Sequence, residues 1–407
     1  MELIKPDVNV DFAGKRNLAF IFSGLLILIT VISLFVHGGP NYGIDFAGGI
    51  LVQVRFQTPT GPAQIKKALE PIGMQDSQVQ HFGGKDNEYL IRAEKKGLKL
   101  QGLSDRIREV LKKTYGDKFE VRRVEMVGPK VGKDLRRQAL LAILFAILFI
   151  AVYISGRFEA KWILAAVMAA VLVGATMLVQ AVLSGAGDGQ SGLVPLIVTS
   201  LVVTVGSCWF LRLRYALGAI VALIHDVIVT VGVFSLLNKE FTLPIVAALL
   251  TIIGYSLNDT IVVFDRIREN LKRSGKTPLT KVINDSINQT LSRTILTSGT
   301  TLIVVFCLWI LGGGVIEDFA LALIVGVGIG TYSSIFVASP ILLLLPEGKP
   351  SLALGRKKPA PAAPAPQKAT PAKPKPGPEA KKPSPAKTAA GRKRSKSKKS
   401  RKKKRKK

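Results

Sequence analysis

The chain has 407 residues, 48% of them hydrophobic and 21% charged, with a mean hydropathy of +0.32. That composition excludes an ordinary soluble globular protein and asks for several membrane spans. The net charge of +30 sits mostly in one place: residues 349–407 hold 23 Lys and Arg against Glu379 alone, while the other 348 residues hold 34 basic and 26 acidic side chains. Both cysteines, Cys208 and Cys307, lie inside apolar runs, so neither a disulfide framework nor a metal site is expected, and no cofactor is implied.

Lys5, Lys15 and Arg16 precede an apolar run from Leu18 to Val36. The run is too long for a signal peptide and Gly38-Gly39-Pro40 is a poor cleavage site. It therefore reads as an uncleaved first span (18–36) behind a cytoplasmic N-terminus (1–17). Residues 41–135 then read as one soluble domain. Ile50–Phe56 alternates as a strand, Pro62–Leu69 has helical spacing, and Gln78–Phe82 with Glu88–Ala93 form a hairpin around Gly83-Gly84. Leu103–Tyr115 is a second helix and Phe119–Val127 a closing strand. The order βαββαβ is the α+β ferredoxin-like plan, two helices on one face of an antiparallel sheet. Nothing in it looks catalytic, and His81, alone beside a Gly-rich turn, reads as a surface or packing residue.

From Gln138 the chain returns to membrane-grade sequence, a bundle covering 138–345. Apolar runs place spans at about 138–156, 162–183, 193–211, 215–237, 242–264, 293–311 and 316–345, eight with the first. Arg157, Lys161, Arg212, Arg214 and the stretch from Arg266 to Lys281 mark one side; Asp188, Asn238-Lys239-Glu240 and Glu317-Asp318 mark the other. The positive-inside rule puts the first set and both termini in the cytoplasm and residues 41–135 outside, and an even number of spans agrees with that.

The stretch from Leu243 to Asn270 carries Asn258 and Asp259 deep inside an apolar run. With a helix starting near Thr242, Asp259 lies roughly 25 Å along it, inside the hydrocarbon. An ionisable group at that depth faces protein or water and needs a partner. Thr251, Tyr255, Asn258, Asp259, Val262 and Arg266 form one helical stripe; Arg293, Thr297, Thr300, Thr301 and Val304 form a matching stripe on the next span. Arg293 is the natural counter-charge for Asp259, and the preceding span adds His225, Asp226 and Thr230 near mid-membrane. An Asp beside Arg⁺ and water can cycle between paired and protonated forms. Asp259, Arg293, Asn258, Tyr255, Thr297 and Asp226 are therefore the expected proton relay. A structural polar network, or a neutral Asp bonded to a neighbouring helix, would use the same residue types.

The other motifs are weaker. Gly326, Gly328 and Gly330 fall inside a span and read as helix packing, and Gly312–Gly314 as a helix break at the external surface. There is no phosphate-binding loop and no nucleophile with a base, so the chain does not read as an enzyme, and any work it does draws on an ion gradient. Residues 346–407 read as a disordered basic tail on the cytoplasmic side. Its last run, from Arg392, suits anionic lipid or ribosomal RNA, or stays solvated with no partner.

GYSLNDTIVVFDRIREN and SRTILTSGTT, with YGIDFAGG, VGPKVG, RFE and ALIHDV before them, resemble the SecF family, protein-export membrane proteins of the SecD/SecF group in the resistance-nodulation-division (RND) superfamily. The likeness covers most of residues 10 to 345. It implies six spans, a ferredoxin-like external domain after the first, and a SecD partner supplying the other half of a pseudo-symmetric bundle. It also implies work with the SecYEG channel, with YidC and YajC nearby, on a preprotein substrate driven by the proton-motive force. By likeness the relay acid falls on Asp259 and its basic partner on Arg293. The chain departs from the pattern in an extra hairpin at about 160–211, joined by GAGDGQSG, and in its tail. Two rival readings stand beside this one: a small-molecule exporter subunit of the same superfamily, and a passive membrane scaffold.

Overall fold

The computed structural model describes residues 9–74, 77–82, 87–93, 102–159, 162–163, 166–171, 173–174, 177, 193–273, 275 and 277–345. The basic tail lies outside them. A first helix, α1 (Arg16–Val36), leads through the short α2 (Ile44–Ala47) into the external domain. There β1 (Gly49–Phe56), β2 (Gln78–His81), β3 (Glu88–Ala93) and β4 (Phe119–Val127) form one antiparallel sheet in the order β2-β3-β1-β4. Helices α3 (Pro62–Leu69) and α4 (Leu103–Tyr115) follow β1 and β3, the βαββαβ arrangement that the residue alternation predicts. Period-two alternation turns Ile50, Val52, Val54 and Phe56 inward, against Ile65 and Leu69 of α3 and Ile107 and Leu111 of α4. His81 is exposed and rests on the Tyr89 ring, with 4.4 Å between ring centroids.

The membrane part consists of α5 (Pro129–Glu159), α6 (Leu193–Phe210), α7 (Arg214–Leu236), α8 (Leu243–Arg273), α9 (Leu279–Leu311) and α10 (Gly314–Ser333). A π-helical turn, Ser334–Ala338, carries α10 into the short α11 (Ser339–Ile341). Six helical stretches among the described residues are long and apolar enough to cross a bilayer: α1, α5, α7, α8, α9 and the run Gly314–Ile341. Where a span was expected at 193–211 there is the helix α6, but its apolar part, Pro195–Phe210, is shorter than the six and is not among them. The expected span at 162–183 lies largely outside the described residues.

Two features depart from the sequence reading. The stretch from Arg266 to Lys281, expected as a connection, is helical to Arg273 and again from Leu279, so α8 and α9 extend well past the membrane as an antiparallel pair. The sequence is amphipathic there rather than apolar: Ile267, Ile283 and Ile287 are buried, and Asn270 Nδ2 donates to Ser286 Oγ at 2.9 Å. The N-terminal segment straps onto this pair, with Asn288 Oδ1 accepting from Val10 N–H at 2.9 Å and Asn284 Oδ1 from Phe12 N–H at 2.8 Å. Gly206 of α6 and Gly174 have nothing within 4 Å of a Cβ position among the described residues.

Close contact occurs instead between α10 and α8. A Cβ at Gly326 would overlap the Ile252 side chain, and one at Gly330 would stand 2.9 Å from Ser256 Cβ. Gly328, two residues away on the outward face, has nothing nearby. Small residues on one stripe let the helix axes approach, which is what packing in lipid rewards.

The external domain is fastened to the bundle at its helix-free face. Tyr42 pairs with Phe241 as an isolated parallel bridge, and Gly43 N–H donates to Phe241 O at 2.7 Å. Asp45 Oδ2 accepts from Leu243 N–H at 2.9 Å and so caps α8, a favourable place for an anion. Arg92, buried on β3, pairs with Glu240 Oε1 at 2.6 Å and donates to Tyr42 O. The Phe82 ring sits on Gly314 at the turn between α9 and α10, where α9 ends as the Gly312–Gly314 run predicts, and Lys239 reaches Asp318 at 2.7 Å. A polar cleft of about 390 Å³ remains between sheet and helices.

Exchanging Gly326 for Ala should lower the melting temperature in detergent, because overpacking costs about 1–3 kcal/mol and outweighs the gain of roughly 1 kcal/mol in helix propensity. Gly328→Ala, with open space around it, should raise it slightly. Equal effects at the two positions would contradict the α8–α10 contact.

Candidate functional site

The polar residues at membrane depth form two linked hydrogen-bonded groups on α7, α8, α9 and α10. Asp226 of α7 is fully buried, and so are its neighbours. Its Oδ2 accepts from Ser256 Oγ of α8 at 2.6 Å and from Ser333 Oγ of α10 at 2.8 Å, while its Oδ1 lies 3.0 Å from His225 Nδ1. Both carboxylate oxygens are thus occupied, as a charge removed from water requires. His225 Nε2 is buried and has no hydrogen-bond partner among the described residues. Thr230 bonds back to the Asp226 carbonyl at 2.8 Å and belongs to the helix.

Asp259 lies one turn beyond Ser256 on α8 and is only 3% exposed. Its Oδ2 accepts a single bond, from Ser298 Oγ of α9 at 3.2 Å. Thr331 of α10 in turn donates to Ser298 Oγ at 2.7 Å. Glycines are what bring these groups together: the close α8–α10 approach at Gly330 places Ser256 beside Ser333 and lets both reach Asp226.

The expected counter-charge does not pair with Asp259. Arg293 makes no ion pair within 4.0 Å among the described residues and is exposed. The reason is the rotation of α9. Its inward stripe is Leu291, Thr294, Ser298 and Val305, which turns Arg293 and Thr300 toward the outside of the chain. Thr297, half-buried, donates only to carbonyls of its own helix, Arg293 O and Thr294 O, each at 3.0 Å. Asn258 and Thr251 are likewise exposed, and Tyr255 OH donates to Thr301 Oγ1 at 3.3 Å. Asp226 is not bonded to Asp259; the two acids share α8, through Ser256, and α10, through Ser333 and Thr331.

Ser256, Ser298, Thr331 and Ser333 were not singled out by the sequence reading, yet they supply the donors. A signal existed for two of them. Ser256 is three residues before Asp259, and Ser298 is one turn from Thr294 on a face as polar as the one chosen. Among the described residues no group of three or more His, Cys, Asp and Glu is placed to hold a metal ion. The arrangement thus holds one carboxylate bonded on both oxygens and one held by a single long bond.

Comparison with known proteins places this geometry. Residues 106–206 and 189–348 match the model of protein export membrane protein SecD/SecF, C-terminal, and residues 32–60 match the SecD/SecF GG motif, which covers Tyr42 to Gly49 at the domain junction. The protein translocase subunit SecF of Magnetococcus marinus is 44% identical over 352 residues, 86% of this chain and 96% of that protein. That of Desulfurispirillum indicum is 43% identical over 340 residues, 82% of this chain and 91% of its own. The crystal structure of SecDF, a translocon-associated membrane protein from Thermus thermophilus, superposes with a TM-score of 0.60 at 30% identity, over 84% of this chain. This chain spans 39% of that longer one. The protein therefore belongs to the SecF family of the SecD/SecF protein-export membrane proteins.

Proposed function

We propose that this accessory subunit of Sec protein export uses the proton-motive force by protonating Asp259, and passes the resulting helix movement to its external domain. The observation that carries the reading is the asymmetry of the two acids. Asp226 has three hydrogen-bonding neighbours on its carboxylate, whereas Asp259 has one long bond from Ser298. Proton transfer at Asp259 disturbs little; at Asp226 it would disturb three helices. Asp226 is accordingly the anchor and Asp259 the group that changes state, with Arg293 acting on it through space and Tyr255, Asn258 and Thr297 along the access route.

The exposed polar strip supports a partner. Thr251, Asn258, Arg293 and Thr300 are open on this chain at membrane depth, and lipid is a poor neighbour for a guanidinium there. SecD is the partner this surface calls for, as the other half of the bundle. In the same reading the SecYEG channel, YidC and YajC surround the pair, residues 41–135 act on the preprotein outside the cytoplasmic membrane, and both termini stay inside. Spans at 162–183 and 193–211 form the extra hairpin of an eight-span chain, and the tail adds an anionic-lipid or ribosome contact.

Coupling runs through the α7–α8 loop. That loop joins the helix of Asp226 to the helix of Asp259, and it carries Glu240, which Arg92 of the external sheet holds. A small-molecule exporter would need an external domain that binds its cargo, and a passive scaffold would conduct no protons.

Asp259→Asn should reduce gradient-stimulated release of a preprotein from membrane vesicles to the level seen without a gradient; full stimulation would remove Asp259 as the relay. Proton flux through the SecD complex in liposomes should fall in the same variant; a flux equal to the parent's would remove Asp259 from the relay, and a parent complex that carries no flux would favour the scaffold. Arg92→Gln should lower gradient-stimulated release several-fold while proton flux persists, because it cuts the fastening and not the relay. The charge exchange Arg92→Glu with Glu240→Arg should restore much of it, and an Arg92→Gln protein with normal release would overturn the coupling route.

A further inference from the structure

On the side of the bundle that carries the external domain, an apolar groove of about 240 Å³ opens between α5, α6 and α7. Leu140, Ile143 and Ile147 of α5 face Leu201 of α6 and Ile228 and Val231 of α7 across it. Arg136 stands at its mouth, held over the Tyr42 ring with its guanidinium carbon 4.0 Å from the ring centroid. Arg136 is half-buried and has no carboxylate within 4.0 Å among the described residues. Lys130, Lys133 and Arg137, on the same and the preceding turn, are exposed and equally unpaired among those residues. Such a cluster at the external end of a span runs against the usual distribution of Lys and Arg.

Depth decides what fits. From Arg136 to Ile147 the helix rises about 16 Å, close to half of the ~30 Å hydrocarbon core. A dry slot one leaflet deep, with an unpaired cation at headgroup level, matches an acyl chain below a phosphate. We propose that this groove binds an anionic phospholipid of the outer leaflet, with its phosphate on Arg136 and one acyl chain between α5 and α7. The inserted helix α6 then has a role, as the second wall of a lipid site. The site does not depend on the proton relay, so either can fail without the other.

The test is native mass spectrometry of the full chain with its co-purified partner, after exchange into equal amounts of phosphatidylglycerol and phosphatidylcholine. The parent protein should retain phosphatidylglycerol preferentially. Arg136→Gln should cut that retention about tenfold, the worth of one charge-assisted contact, and Arg136→Lys should keep most of it. Ile228→Trp, which fills the groove, should lower retention of both lipids. Unchanged retention in Arg136→Gln or in Ile228→Trp overturns the site. Cross-linking from Leu201→Cys, in a chain lacking Cys208 and Cys307, to a preprotein segment rather than to lipid would overturn the lipid as occupant.

Discussion

The bundle depends on how it houses two carboxylates that hydrocarbon would not tolerate. Serine hydroxyls from adjacent helices solve the problem, and each costs little in helix propensity while donating one bond. Ser256 and Ser333 close on Asp226 from opposite helices. Because both reach the same oxygen, α7, α8 and α10 cannot shift independently without leaving a buried charge short of donors. Asp259 is housed more loosely by Ser298, itself held by Thr331. One acid thus has bonds on both carboxylate oxygens and the other a single long one, although both are carboxylates within apolar runs.

The same helices are tied to the external domain at their outer ends. Asp45 caps α8, Arg92 holds Glu240, and Phe82 rests on Gly314 where α9 turns into α10. The residues from Tyr42 to Gly49 therefore serve two purposes: they lead into β1, and they satisfy the first backbone groups of the helix that carries Asp259. Gly48, at φ +77, sits against Pro129 where a side chain would not fit, so the entry and exit of the domain pack together. Under the proposed coupling, this junction is where a rearrangement near Asp259 would reach the sheet. At the end of the bundle away from the sheet, the N-terminal segment straps the paired extensions of α8 and α9 together.

Much of this was legible in the residues alone. Alternation of period two located the strands, and helical spacing located α3 and α4, because one face of each element is buried and the other is wet. Apolar runs located the six helices long and apolar enough to cross a bilayer, since that length is set by its thickness; of the eight spans expected, 193–211 falls short and 162–183 lies largely outside the described residues. Asp259 stood out because a carboxylate in such a run has few bland explanations. The extensions of α8 and α9 beyond the membrane were missed, as amphipathic helix there replaces the apolar signal on which a span is recognised.

What the sequence by itself determined is the class of protein and its α+β domain, and that two acids fall inside apolar helices, all of which follow from local periodicity and composition. Only the tertiary structure decided which face of α9 turns inward. That rotation puts Ser298 rather than Arg293 against Asp259 and leaves the arginine on the outer surface. The choice rests on how neighbouring helices pack, and two stripes of equal polarity, a fraction of a turn apart, cannot be ranked until those neighbours are in place.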